Sequence, residues 1–224
     1  MVIDLAKMIK QKVLEILSEL PHGVHLEAVV KGRQPEEVIE AIEAGVKIIG
    51  ENYVQEAEKH YPLIGAKVEW HLIGRLQKNK VKKAVALFDM VETVDSIEIA
   101  GEIDKWCARM GKIMPVLIEV NSGREMQKSG VFPENVAELV RAISVLANLK
   151  VMGLMTMGPR TGNPENSRPY FIETKGMFDK IKKLNLPGVE MKYLSMGMTN
   201  SYKVAIEEGA NIVRLGNKIF GERG

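Results

Sequence analysis

Short apolar runs rich in β-branched residues alternate along the chain with stretches whose apolar positions recur every three or four residues. The runs are "VHLEAVVKG", "VKIIGEN", "VEWHLIG", "MVETVD", "MPVLIEVN", "LKVMGLMTM", "KYLSMGM" and "NIVRLGN", eight in all. Helical patterns such as "SIEIAGEIDKWCARM" and "PENVAELVRAISVLA" separate them. Runs of this kind suit strands buried on both faces, and helical crossovers between them require parallel pairing. Eight such units within 224 residues predict an α/β fold, a single (β/α)₈ TIM barrel spanning residues 1–224 as one domain. A doubly wound open sheet is the alternative, but it usually needs fewer strands.

An extra helix precedes the first strand. Leu5, Met8, Ile9, Val13, Ile16, Leu17 and Leu20 form one stripe at helical spacing, and Pro21 and Gly23 stop it. After the first strand, Pro35 is placed as a first-turn proline, Val38, Ile39 and Ile42 form the next apolar face, and Gly45 closes it. "AIEAGVKII" (41–49) and "AIEEGANIV" (205–213) share a helix end, a glycine cap and a strand entry, which predicts two similar α-to-β turns. The longest irregular piece, "GPRTGNPENSRP", reads as a loop after the sixth strand.

Composition narrows the function by exclusion. With 31 basic and 29 acidic residues, nothing global favours nucleic acid or an anionic membrane. One cysteine, Cys107, excludes an internal disulfide framework and fits a reducing compartment; it reads as a packing residue. No apolar run reaches transmembrane length and the N-terminus lacks a signal peptide's apolar core, so a cytoplasmic location is expected, with no membrane partner. His22, His25, His60 and His71 show no metal-ligand spacing, and no metal is expected. The cluster Arg75, Lys78, Lys80, Lys82 and Lys83 lacks interleaved aromatics and reads as a solvated helix face, not a nucleic-acid surface.

The barrel directs attention to the strand ends, because active sites of this fold lie where the carboxyl ends of the strands converge. That face collects Lys31, Asn52, Gly74 with Arg75, Asn121, Thr156, "SMGMTN" and "RLGN". Ser195, Gly197 and Thr199 stand where the seventh strand turns into a helix, and Gly216 and Asn217 follow the eighth. Hydroxyls, helix-start amides and close-approach glycines after strands seven and eight suit a phosphate dianion. A phosphate on one side and the Lys31 amine on the other suggest a phosphorylated aldehyde held as a Schiff base. Two readings of Arg214 stand side by side. It can donate to a pyridine nitrogen and leave that nitrogen unprotonated, or it can pair with a carboxylate such as Glu51 or Glu119.

The segments "AVVKG", "GENYVQE", "WHLIGRLQKNK", "VNSGREMQKSG", "GLMTM" and "LSMGMTNSYKVAIEEGANIVRLGNKIFGER" together resemble the pyridoxal 5′-phosphate homeostasis protein family, in order from Lys31 to Arg223. The resemblance implies a barrel like the N-terminal domain of alanine racemase, with pyridoxal 5′-phosphate (PLP) as cofactor and Lys31 carrying it as an internal aldimine. It implies that Ser195, Met196, Gly197, Met198 and Thr199, with Gly216 and Asn217, surround the phosphate, and that Arg214 meets the pyridine nitrogen. Asn52, His71 and Met155 fall on family positions lining the pocket. The implied role is to hold and deliver the cofactor without substrate turnover, as a monomer, to apo PLP-dependent enzymes. This chain departs from the family pattern in Val30, where serine is common, in Arg75, often histidine, and in Asn217, usually a small hydroxyl residue. The rival functions are a PLP-dependent amino-acid racemase and a cofactor-free Schiff-base aldolase. For racemisation, the related racemase takes its second base from a further domain, which is not expected here because the chain stops just past the eighth strand.

Overall fold

A computed structural model of the protein describes residues 2–158 and 162–222, with side chains from residue 6 onward. Pro159 and Arg223, which entered the sequence reading, lie outside what is described, as does the side chain of Leu5. The strands are β1 (His25–Val29), β2 (Ile48–Glu51), β3 (Glu69–Leu72), β4 (Met90–Val94), β5 (Met114–Glu119), β6 (Leu149–Thr156), β7 (Val189–Met196) and β8 (Ile212–Leu215). Each pairs in parallel with its neighbours, and β1 pairs with β8, so the sheet closes into the expected barrel. The helices are α1 (Val2–Glu19), α2 (Pro35–Glu43), α3 (Val54–Ile64), α4 (Val81–Leu87), α5 (Ile97–Met110), α6 (Val136–Ile143), α7 (Arg168–Lys182), α8 (Tyr202–Glu207) and α9 (Asn217–Phe220).

Two apolar layers follow from the alternation of side chains along each strand. The larger lies between sheet and helices and takes Val30, Ile49, Trp70, Val116, Phe171 and Val213 from all around the ring. The smaller fills the barrel itself with Met90, Leu117, Met152 and Met155, against which Tyr193 packs. Cys107 is buried in the outer layer, and burial pushes its thiol up to about 11, so it packs and does not react. The expected N-terminal helix is α1. Ile9, Val13 and Ile16 are buried, and the helix lies across α2 and α9, over the seam between the first and last units.

Local sequence sets the turns. Pro35 does open α2, whose start is closed by the Gln34 N–H donating to Glu37 Oε2 at 2.9 Å. The two echoed segments adopt the same turn. Val46 N–H bonds Ala41 O and Ala210 N–H bonds Ala205 O, with Gly45 at φ +118° and Gly209 at φ +94°. The segment expected as one long loop is more ordered than its prolines suggested. Pro164 opens a 3₁₀ turn (Pro164–Ser167), and Pro169 lies in the first turn of α7. A proline costs nothing there, because its missing N–H would be unpaired at a helix start anyway. Between β6 and β7 the register slips after Val151↔Val189, and Gly153 (φ +151°) lies so close to Tyr193 that a Cβ would meet its carbonyl oxygen at 1.8 Å.

Candidate functional site

β1 ends at Val29, and the chain turns back over Val30–Arg33, where Arg33 N–H bonds Val30 O. Gly32 takes φ +67°, the left-handed third position that a type II turn requires. Its N–H bonds Glu56 Oε2 at 2.9 Å, which pins the turn to α3. Lys31 is thereby held at the mouth of the barrel, with its amine 4.9 Å from the centre of the Tyr53 ring. Asn52 follows β2 on the same rim. Gly74, after β3, packs against it so tightly that a Cβ would stand 2.0 Å from the Asn52 carbonyl oxygen. Thr156 braces the rim between β5 and β6, bonding Val120 O and Ser122 Oγ at 2.9 Å each.

These strand ends enclose a cavity of about 200 Å³, lined by Lys31, Asn52, Met198, Thr199, Arg214, Gly216 and Asn217 from among the expected residues. Val29, Arg33, Ile73 and Met157 complete the lining. None of these four belonged to the expected site. They flank the expected residues along the chain or at the next strand end, and that adjacency was the available signal. Gly197 shapes the wall without lining it: at φ +92°, a Cβ there would meet Ala205 Cβ at 2.6 Å and Tyr202 Cα at 2.9 Å. Gly216 leaves room beside Val29, whose carbonyl oxygen a Cβ would approach to 3.3 Å.

Four expected residues sit elsewhere. Met155 is in the apolar layer inside the barrel, and Met196 points outward into the layer under the helices. Ser195 is fully buried. Its hydroxyl donates to Glu92 Oε2 and accepts from Arg214 Nη1, both at 2.6 Å, so it faces the barrel centre and not the loop above. His71 is deeper still, with Nδ1 2.8 Å from Glu92 Oε1 and 3.6 Å from Glu27 Oε1, and Nε2 3.8 Å from Glu69 Oε2. Glu27, His71 and Glu92 come within 4.8 Å of one another, a grouping that spacing along the chain did not reveal.

The charges under the cavity act on one another. Burial, and then the charge of Glu92, push the Glu27 carboxyl up to about 8, against His71 and Arg214. Burial works against protonation of His71, but Glu69 at 3.8 Å, the Glu92 bond and the Glu27 carboxyl at its side hold it up at about 10. Burial also acts on Glu92, yet the His71 bond and the charges of His71 and Arg214 keep it below the ordinary carboxylate range. Arg214 donates to Ser195 Oγ and, at 2.8 Å, to Thr156 O. Of the carboxylates considered for it, Glu51 is taken by His60 Nδ1 at 2.7 Å, and Glu119 acts on Arg214 only through its charge. Burial, then Asp95, push Glu119 up to about 7.

The basic cluster divides. Lys83 pairs with Glu58 at 2.6 Å and Lys82 lies over the Trp106 ring. Arg75 and Lys80 instead line a second cavity of about 440 Å³, which shares Asn52 with the first.

The alanine racemase N-terminal domain family model matches residues 3–224. A pyridoxal phosphate homeostasis protein of Aquifex aeolicus (strain VF5) is 44% identical over 190 residues, 84% of this chain and 82% of the relative. Two solved structures of PipY from Synechococcus elongatus PCC7942 superpose over 95% of this chain and 100% of theirs. The one without PLP has TM-score 0.90 and 30% identity, and the one with PLP bound has TM-score 0.87 and 29% identity.

Proposed function

Since the chain belongs to the alanine racemase N-terminal domain family, and within it to the pyridoxal phosphate homeostasis proteins, we propose that its barrel-mouth cavity binds PLP through Lys31. The observation that carries this is the donor set on one cavity wall and floor. A primary amine (Lys31), a guanidinium (Arg214), and Thr199 and Asn217 beside Gly216 line the same space. The fit is chemical as well as spatial. When bound, PLP supplies an aldehyde that a primary amine captures reversibly, a ring nitrogen that accepts a hydrogen bond, and a phosphate dianion.

Each residue then has a task. Lys31 provides the amine, held in place by the Gly32 turn and Glu56. Arg214 keeps its proton and can only donate, so it favours the ring nitrogen as an acceptor. Thr199 and Asn217 donate toward the phosphate, and Gly197 and Gly216 let the loops after β7 and β8 close around it. Asn52, Met157 and Met198 supply the rest of the wall.

The role is cofactor homeostasis: the protein holds PLP, keeps its free level low and hands it to apo-enzymes without turning over a substrate. Among the described residues, no helix is long and apolar enough to cross a membrane. The test is transfer from the loaded protein to an apo PLP-dependent enzyme, with a scavenger of free PLP present. Activity should return in the enzyme despite the scavenger. Activity that returns only when the scavenger is left out would contradict direct delivery.

A further inference from the structure

Ser195 has a hydroxyl suited to a phosphate loop, yet it is turned inward and joins Arg214 to Glu92 by two bonds of 2.6 Å. We propose that Glu92 and Ser195 are positioning residues for Arg214, and that Glu27 and His71, gathered around Glu92 at the barrel centre, set the charge beneath the pocket's ligand. This inference rests on the reading of the cavity as a PLP site.

A guanidinium is long, flexible and costly to bury without compensating charge. Arg214 is 3% exposed, and among the described residues its side chain bonds Ser195 Oγ and Thr156 O, with no carboxylate in direct contact; Ser195 carries it to Glu92 instead. Its bonds to Ser195 Oγ and Thr156 O fix the two Nη groups, and the remaining N–H groups are available to the cavity that Arg214 lines. Removing Ser195 Oγ leaves the guanidinium held by the Thr156 O bond alone and breaks its link to the compensating charge.

Behind this chain stand groups from every neighbouring strand. β3 supplies His71 and, at the lower rim, Glu69; β4 supplies Glu92 and β8 supplies Arg214. β2 offers only Gly50, where a Cβ would lie 2.6 Å from Glu27 Oε1, and β5 offers the more distant Glu119. Glu27 and Arg214 are register partners on the adjoining strands β1 and β8. Both Glu27 carboxyl oxygens are buried without a hydrogen-bond partner, as a carboxyl kept neutral tolerates better than a carboxylate. With Glu27 protonated, the centre holds the Arg214 and His71 cations against one Glu92 anion. As pH rises and that proton leaves, a second anion stands under Arg214. The positive potential at the pocket floor weakens, and an anionic ligand with an acceptor nitrogen is held less tightly.

The test compares Kd for three probes, PLP, pyridoxal and the carbocyclic 1-deaza analogue of PLP, across variants of the full chain. At pH 7, Ser195→Ala should weaken PLP and pyridoxal by the same factor, about tenfold or more, and Glu92→Gln should weaken pyridoxal likewise but PLP less, because the lost anion raises the positive potential under its phosphate. Neither should weaken the deaza analogue, and Ser195→Thr, which keeps the hydroxyl, should restore most of the loss. A loss confined to PLP would assign Ser195 to the phosphate, and equal losses for all three probes would show a merely structural role; either overturns the proposal, as does no loss. Between pH 7 and 9, PLP affinity should fall more steeply in the wild type than in Glu27→Gln, and parallel curves would overturn the proton link. Wild-type protein that binds no PLP, or binds it equally well as Lys31→Ala, refutes the cavity reading itself and this inference with it. Lys31-dependent binding with silent Ser195 and Glu92 variants refutes this inference alone.

Discussion

Gly32 sits at φ +67°, and that single backbone angle aims the Lys31 amine. Side chains with a Cβ resist the left-handed region by about 1–2 kcal/mol, asparagine least. Gly32→Ala should therefore lower both thermal stability and the yield of PLP-loaded protein, with Gly32→Asn closer to wild type; visible absorption of the loaded protein reads the difference. Thr199 lines the cavity after β7. Thr199→Ala should weaken PLP by about tenfold, one hydrogen bond to a charged group, and leave pyridoxal unchanged in a direct titration. Glu27 gives a stability prediction with a definite sign. Its carboxyl is raised in the folded protein from 4.5 to about 8, so between those values the folded state holds a proton that the unfolded state has lost. Stability contributed by that proton is whole below about pH 4.5 and is lost as pH rises to about 8. Glu27→Gln should raise Tm by more at pH 8 than at pH 5, and calorimetry at the two values checks it.

At the scale of elements, the strand ends are locked by close backbone contacts. Gly74 after β3 touches Asn52 after β2, where a Cβ would collide with a carbonyl oxygen at 2.0 Å. Overpacking of this kind costs about 1–3 kcal/mol, which in a domain of this size lowers Tm by about 3–10 °C. Gly74→Ala should show that loss in thermal melts and weaken PLP through the displaced Asn52. Element order was legible in the sequence because a strand buried on both faces and an amphipathic helix leave different periods. The β6–β7 slip at Gly153 was not, since it depends on a contact with Tyr193 forty residues away. Pro164 and Pro169 misled for a different reason: the residue that breaks a helix inside its length also starts one.

Across the whole molecule, position at a strand end was enough to place Lys31, Asn52, Thr199, Gly216 and Asn217 on the cavity, whereas Arg214, inside β8, was open to two readings. Which way Ser195 and Met196 point, and that Glu27, His71 and Glu92 meet, depends on strand tilt and stagger around the closed barrel, which no short stretch encodes. The assembled cavity also bears on catalysis. Among its described lining residues, Lys31 is the one candidate base, because the other ionisable side chains, Arg33 and Arg214, are guanidiniums that can only donate. Tyr53, with its ring 4.9 Å from the Lys31 amine, is beside that base. Racemisation needs bases on two faces. Loaded protein incubated with L-alanine in deuterated water should exchange Cα hydrogen far below the common enzymatic range of about 1–10³ s⁻¹, without accumulating D-alanine. The central claim is that Lys31 holds the cofactor, and its most direct test is borohydride reduction of the loaded protein followed by peptide mapping. PLP should be fixed to the peptide containing Lys31, with neither colour nor label in Lys31→Ala. Label recovered on Lys128 or any other lysine, with Lys31 unmodified, would contradict it.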